Sequence, residues 1–167
     1  MFGDITINKF VELNSQQTIV NLAKFISLIT EPIFLFILSL IFSVFLYSKK
    51  EKLKSYYVTI TTFFTVIVIL TLKNLFLRAR PINALVKETS SSMPSGHVTF
   101  AIIFFGLIIY FSKNKKITSY FGISSILLIS LSRIYLRVHW FTDILVASII
   151  GCSILIISIL IYKTLKK

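Results

Sequence analysis

The chain has 167 residues, 56% of them hydrophobic, and a mean hydropathy of +0.88. Soluble domains carry about 45–50% apolar residues, so this composition excludes a disordered chain and points away from an ordinary water-soluble domain. Eighteen Lys and Arg against six Asp and Glu give a net charge of +12, which would suggest nucleic acid if membrane topology left those cations unexplained. Cys152 has no internal partner and lies in an apolar stretch, where it reads as a small packing residue.

Taken in chain order, the first segment is the most polar. Residues 1–25 carry Asp4, Lys9, Glu12, Asn14, Gln16, Gln17, Asn21 and Lys24, too many polar groups for hydrocarbon. They also lack the basic start and apolar core of a signal peptide. Ile19, Leu22, Ile26 and Ile29 recur at helical spacing, so this segment is expected to be an amphipathic helix lying in the membrane interface, with an irregular sixth span as the alternative. A spanning helix needs about 20 largely apolar residues. The run Ile33–Tyr47 reaches that length if it begins near Ile26 and continues through Pro32. Residues 56–77, 97–112, 117–136 and 143–162 supply four more spans. The expected fold is therefore an all-α integral membrane bundle of five transmembrane helices plus the interfacial helix, forming one domain over residues 1–167.

The links set the orientation. Lys49, Lys50, Lys52 and Lys54, then Lys113, Lys115 and Lys116, then Lys163, Lys166 and Lys167 account for ten of the 18 cations. With five spans these three segments fall on one side, which the positive-inside rule makes cytoplasmic. The N-terminus and the links 78–96 and 134–142 then lie outside. The excess charge is a topology signal, and no nucleic-acid partner is expected.

What topology leaves unexplained is a concentration of chemistry on the outer side: Lys73, Arg78, Arg80, Ser95, His97, Arg133, Arg137, His139 and Asp143. Ionisable groups at membrane depth cost about 2.5–3.5 kcal/mol each on insertion scales, and only Glu88 and Asp143 offer negative charge nearby. Several cations facing so few carboxylates imply an anion to be bound. Lys73 and Arg80 lie seven residues apart, close to two helical turns, so one helix can present both before Pro81 stops it. Taken alone each is equally a snorkelling side chain, the reading kept for Arg78. In Pro94-Ser95-Gly96-His97, Ser95 is a natural N-cap and Gly96 allows close backbone approach, so the following helix start can receive an anion; a simple turn and cap is the alternative. Ser90, Ser91 and Ser92 read as flexible loop. If residues 139–143 are helical, His139 and Asp143 share a face and the carboxylate can fix the imidazole tautomer, although a lone pair of this kind also serves structure. Arg137 and Trp140 fit interfacial anchors.

Together Lys73 with Arg80-Pro81, then Pro94-Ser95-Gly96-His97, then Ser132-Arg133 with His139 and Asp143 resemble the three-part signature of the type 2 phosphatidic acid phosphatase superfamily, with every fixed position in order. The resemblance spans a catalytic motif region at residues 73–143. Members usually have six spans, which puts the first segment in question, and high hydropathy argues against the soluble vanadium haloperoxidase branch. The resemblance implies that Lys73, Arg80 and Arg133 hold phosphate oxygens, with Ser95 and the Gly96 N–H adding hydrogen bonds. It further implies that His139 is the nucleophile, that Asp143 orients it, and that His97 is the general acid and base. No cofactor or metal is expected: two His and one Asp could ligate zinc, but the crowding cations would repel it. The implied substrate is a phosphorylated lipid reached from the bilayer at the outer leaflet of a bacterial cytoplasmic membrane. Lipid A 1-phosphate and undecaprenyl pyrophosphate lead, ahead of phosphatidylglycerol phosphate and phosphatidic acid. A non-catalytic lipid-phosphate-binding protein is the alternative from another class. An ion pathway is disfavoured because the inner halves of the spans are apolar. Oligomeric state is not legible.

Overall fold

The computed structural model describes residues 2–166, folded into seven helices: α1 Phe2–Leu13, α2 Gln17–Ile29, α3 Pro32–Ser48, α4 Lys52–Phe76, α5 Gly96–Phe111, α6 Lys115–Tyr135 and α7 Phe141–Leu165. Helices α4, α6 and α7 are each long and apolar enough to cross a bilayer, and α2 with α3 passes the same test as a pair bent by 45°. Helix α5 is apolar but shorter, at 16 residues.

The polar opening segment departs from the single interfacial helix expected over residues 1–25. It divides at residues 14–16 into α1 and α2, and α2 runs on to Ile29 as the first limb of the bent pair. The expected passage of one helix through Pro32 also fails. Thr30 closes α2 by donating its N–H to the Ile26 carbonyl, and Pro32 opens α3 at its first position. A proline there loses no helical hydrogen bond, whereas inside a helix it breaks one.

Packing of α3 antiparallel to α4, of α5 antiparallel to α6 and of α5 parallel to α7 gathers five helix termini at one end: the starts of α3, α5 and α7 and the ends of α4 and α6. The lysine-rich links lie at the opposite end. One apolar cluster near that far end joins Leu46, Val58, Ile103, Leu107 and Ile154, and a second around Leu35, Ile69, Ala101 and Ile129 packs α3 through α6 together. Small residues let the helices approach. A Cβ on Gly151 of α7 would stand 3.1 Å from the Ile102 Cβ of α5, a close helix contact of the kind that membrane bundles favour. The outward faces remain apolar and exposed, as at Ile60, Leu131, Ile149 and Ile157. Cys152 belongs to that outward surface and does not pack inside.

Candidate active site

The link between α4 and α5 comes back over the gathered helix ends and assembles most of the polar residues there. Helix α4 stops at Phe76 with Leu77 in the left-handed conformation (φ 43°), four residues before Pro81. Lys73 and Arg80 therefore do not share a helical face. They meet because the link folds back: Lys73 Nζ donates to the Ser91 carbonyl at 2.5 Å and to Ser90 Oγ at 3.2 Å, while Arg80 Nε donates to the Ser90 carbonyl at 2.9 Å. The serines expected to be loose thus tie down two cations. Glu88 joins them, with Oε1 accepting from Arg133 Nη2 at 2.6 Å and Oε2 lying 3.5 Å from Arg80 Nη2. Arg133 itself is fully buried, and its Nη1 also contacts Ser27 Oγ of α2.

His139 lies in the short link before α7, ahead of Trp140 at the N-cap, so it shares no helix with Asp143. Its Nδ1 is 2.6 Å from the Ser92 carbonyl and 3.5 Å from Asp143 Oδ2. A carbonyl only accepts, so Nδ1 carries the proton and Nε2 keeps its lone pair. That Nε2 stands 3.4 Å from Arg80 Nη1. The expected role of Asp143 in fixing the tautomer falls first to the Ser92 carbonyl, with Asp143 farther away. Burial holds the imidazole at about 4, far below its ordinary 6.5; Arg133 and Arg80 push the same way and Asp143 opposes them. His139 is thus neutral at physiological pH.

Ser95 caps α5 by position, but its side chain makes no capping hydrogen bond. Among the described residues Ser95 Oγ, His97 Nε2 and Arg133 Nε are buried without a partner. Native interiors rarely leave such groups unsatisfied. A Cβ on Gly96 would sit 3.4 Å from the Pro32 ring, an ordinary contact, so that side of the glycine faces the α2–α3 bend. Among the described residues no three of His, Cys, Asp and Glu converge as metal ligands.

Two other expectations give way. Arg78 is no snorkeller: Nη1 donates to Asp143 Oδ1 at 2.5 Å and to Thr142 Oγ1 at 2.6 Å, and Nη2 donates to Asp4 Oδ2 at 2.7 Å. Arg137 is buried and pairs with Glu12 of α1 at 3.1 Å. Asp4 and Ser27 were not singled out by sequence reasoning at all. Asp4 has one signal, an acid set among exposed apolar residues of a short helix, but nothing local identifies partners 74 and 138 residues away.

A family model described as the PAP2 superfamily matches residues 33–167, most of the chain. The chain belongs to that superfamily. PAP2 membership agrees with the three-part signature, which the fold draws to one end of the bundle. Phosphatidylglycerophosphatase B of Bacillus subtilis (strain 168) is 40% identical over 83 residues, covering 44% of this chain. The match spans 41% of that relative's length. The crystal structure of a transmembrane PAP2 type phosphatidylglycerolphosphate phosphatase from Bacillus subtilis superposes with a TM-score of 0.89 at 25% identity, covering 97% of this chain and 85% of that one. Aquifex aeolicus LpxE, at 20% identity, superposes with a TM-score of 0.77 over 93% of each chain; it adds agreement in fold alone.

Proposed function

We propose that this PAP2 protein is a membrane lipid phosphatase that acts through a phosphohistidine, without a metal. The observation that carries this reading is the state of His139: its Nδ1 hydrogen is committed to the Ser92 carbonyl, and its Nε2 lone pair is directed to the cation cluster. A phosphate held by Lys73, Arg80 and Arg133, with hydrogen bonds from Ser95 and the Gly96 N–H, would present its phosphorus to that nitrogen. Fixed cations favour the extra charge of the pentavalent transition state, because they need no reorganisation as it develops. As the Nε2–P bond forms, the P–O bond to the leaving group breaks, and His97 Nε2 gives its proton to the departing oxygen. His97 then takes a proton from water as that water attacks phosphorus, the N–P bond breaks, and inorganic phosphate leaves. Two easier displacements replace one hard one. The unpartnered His97 Nε2 is the feature that supports its role as acid and base.

Five crossings fit this arrangement if α5 crosses and α2 with α3 counts as one bent span. Helix α1 then lies in the interface, the lysine-rich end faces the cytoplasm and the site opens outward. For a bacterial cytoplasmic membrane that is the outer leaflet. The substrate is a phosphate or pyrophosphate headgroup on an envelope lipid, and the names of the Bacillus subtilis relatives favour phosphatidylglycerol phosphate over lipid A 1-phosphate, undecaprenyl pyrophosphate and phosphatidic acid. Purified protein in detergent micelles should release phosphate from at least one of the four and form an acid-labile phosphoenzyme that His139→Ala abolishes. Phosphoenzyme in that variant would remove His139 as nucleophile, and absence of release from all four lipids would leave a binding protein.

A further inference from the structure

Helix α1 buries one residue, and that residue is charged. Asp4 is 4% exposed, whereas Phe2, Ile5, Phe10 and Leu13 on the same helix are exposed. Burying a carboxylate is costly unless it is paired and hydrogen-bonded, and Asp4 is fully supplied. Its Oδ1 accepts the Thr142 N–H at 2.9 Å, and its Oδ2 accepts the Thr142 hydroxyl at 2.7 Å and Arg78 Nη2 at 2.7 Å. Burial alone would raise its pKa, yet the donors from Thr142 and Arg78 outweigh burial and hold the carboxyl below its ordinary value. The hydroxyl of Thr142 donates to Asp4 and accepts from Arg78 Nη1, so the three groups close a ring. Arg78 Nη1 also reaches Asp143 Oδ1, and the other oxygen of Asp143 accepts the Trp140 N–H at 2.8 Å.

We propose that Asp4 is a positioning residue for the reaction at His139: it shares the charge of Arg78 and pins Thr142, so that Asp143 keeps both its place and a net negative charge for the imidazole. The proposal rests on the reading of His139 as nucleophile. Its physical basis is a sum of formal charges. Arg78 stands between two carboxylates, Asp4 and Asp143, so the trio carries one net negative charge, which matches the imidazolium that arises as the phosphohistidine turns over. Without Asp4 the remaining pair is neutral and Arg78 has Asp143 as its sole counterion. The carboxylate would then be drawn from His139 at the moment its charge is needed. Asp4 also satisfies a free N–H in the first turn of α7, the turn that carries Asp143.

Anchoring of α1 is the competing role, and a second contact separates the two. Glu12 of α1 pairs with Arg137 without touching Asp143, so Glu12→Gln loosens the helix and spares the ring. In full-length protein with phosphatidylglycerol phosphate micelles, Asp4→Asn and the near-isosteric Thr142→Val should each lower kcat by about 10–100-fold, the cost of slight misplacement of a reacting group. KM should stay within about twofold, because the phosphate-holding cations are untouched, and that retained KM also shows the variants are folded. Asp4→Glu should recover part of the loss, and Glu12→Gln should keep both parameters near those of the unaltered protein. The proposal is overturned if Asp4→Asn and Thr142→Val keep kcat, if their effect falls on KM alone, or if Glu12→Gln lowers kcat as far as Asp4→Asn. Failure of the underlying mechanism shows separately, as phosphoenzyme that survives His139→Ala.

Discussion

A nucleophilic imidazole must be neutral before it attacks, and the surroundings of His139 secure that state in two ways. Burial and two neighbouring arginines lower its affinity for a proton, and the Ser92 carbonyl claims the hydrogen on Nδ1. A depressed pKa means that acid inactivates the nucleophile only when pH falls towards about 4, so the acid limb of kcat/KM is expected near pH 4 and not at the 6.5 of free imidazole. A pH profile of the purified protein checks this, and an acid limb at 6.5 or above contradicts it. Much of this site was legible in the residues themselves, because Lys73, Arg80, His97, Arg133, His139 and Asp143 are costly at membrane depth and needed a reason to be there. The Ser92 carbonyl was not legible, since any residue can supply a carbonyl and only the fold places this one.

At the scale of elements, sequence patterns reported composition better than geometry. Seven residues of spacing suggested one helical face for Lys73 and Arg80, yet the left-handed Leu77 ends α4 first and the link restores the pairing by another route. Pro32 was read as tolerated inside a span and instead divides two helices. In both cases hydropathy located apolar stretches correctly, while the backbone's own stop signals decided where helices end. Arg78 and Asp4 were misread or passed over for a related reason: their partners come from helices far away in sequence. The packing of α5 on α7 yields a prediction of its own. Gly151→Leu must push against the Ile102 Cβ, which is fixed to the backbone and cannot rotate away. Overpacking of this sort costs about 1–3 kcal/mol, and an earlier thermal inactivation in detergent should register it. Unchanged inactivation would mean that α5 and α7 pack less tightly than described.

Across the whole molecule, charge is divided between two ends. Lysines crowd the far end, whereas at the candidate site Lys73, Arg80 and Arg133 gather around Glu88, which among the described residues is the one carboxylate in direct salt-bridge contact with the two arginines. A field of that sign repels divalent cations and attracts phosphate, so phosphate release should persist undiminished in EDTA; loss on chelation, with recovery on adding zinc or magnesium, would contradict a metal-independent route. Glu88 has a consequence for how the resting protein meets its ligand. Its carboxylate already sits on two of the arginines that an incoming phosphate would use, which makes it an intramolecular competitor, always present and never diluted. Observed affinity then equals intrinsic affinity scaled by the fraction of molecules in which that competitor has stepped aside. Glu88→Gln removes its charge, and the apparent KM should fall by about threefold to tenfold with kcat unchanged; a KM that stays or rises would show that the acid assists the lipid instead of vying with it.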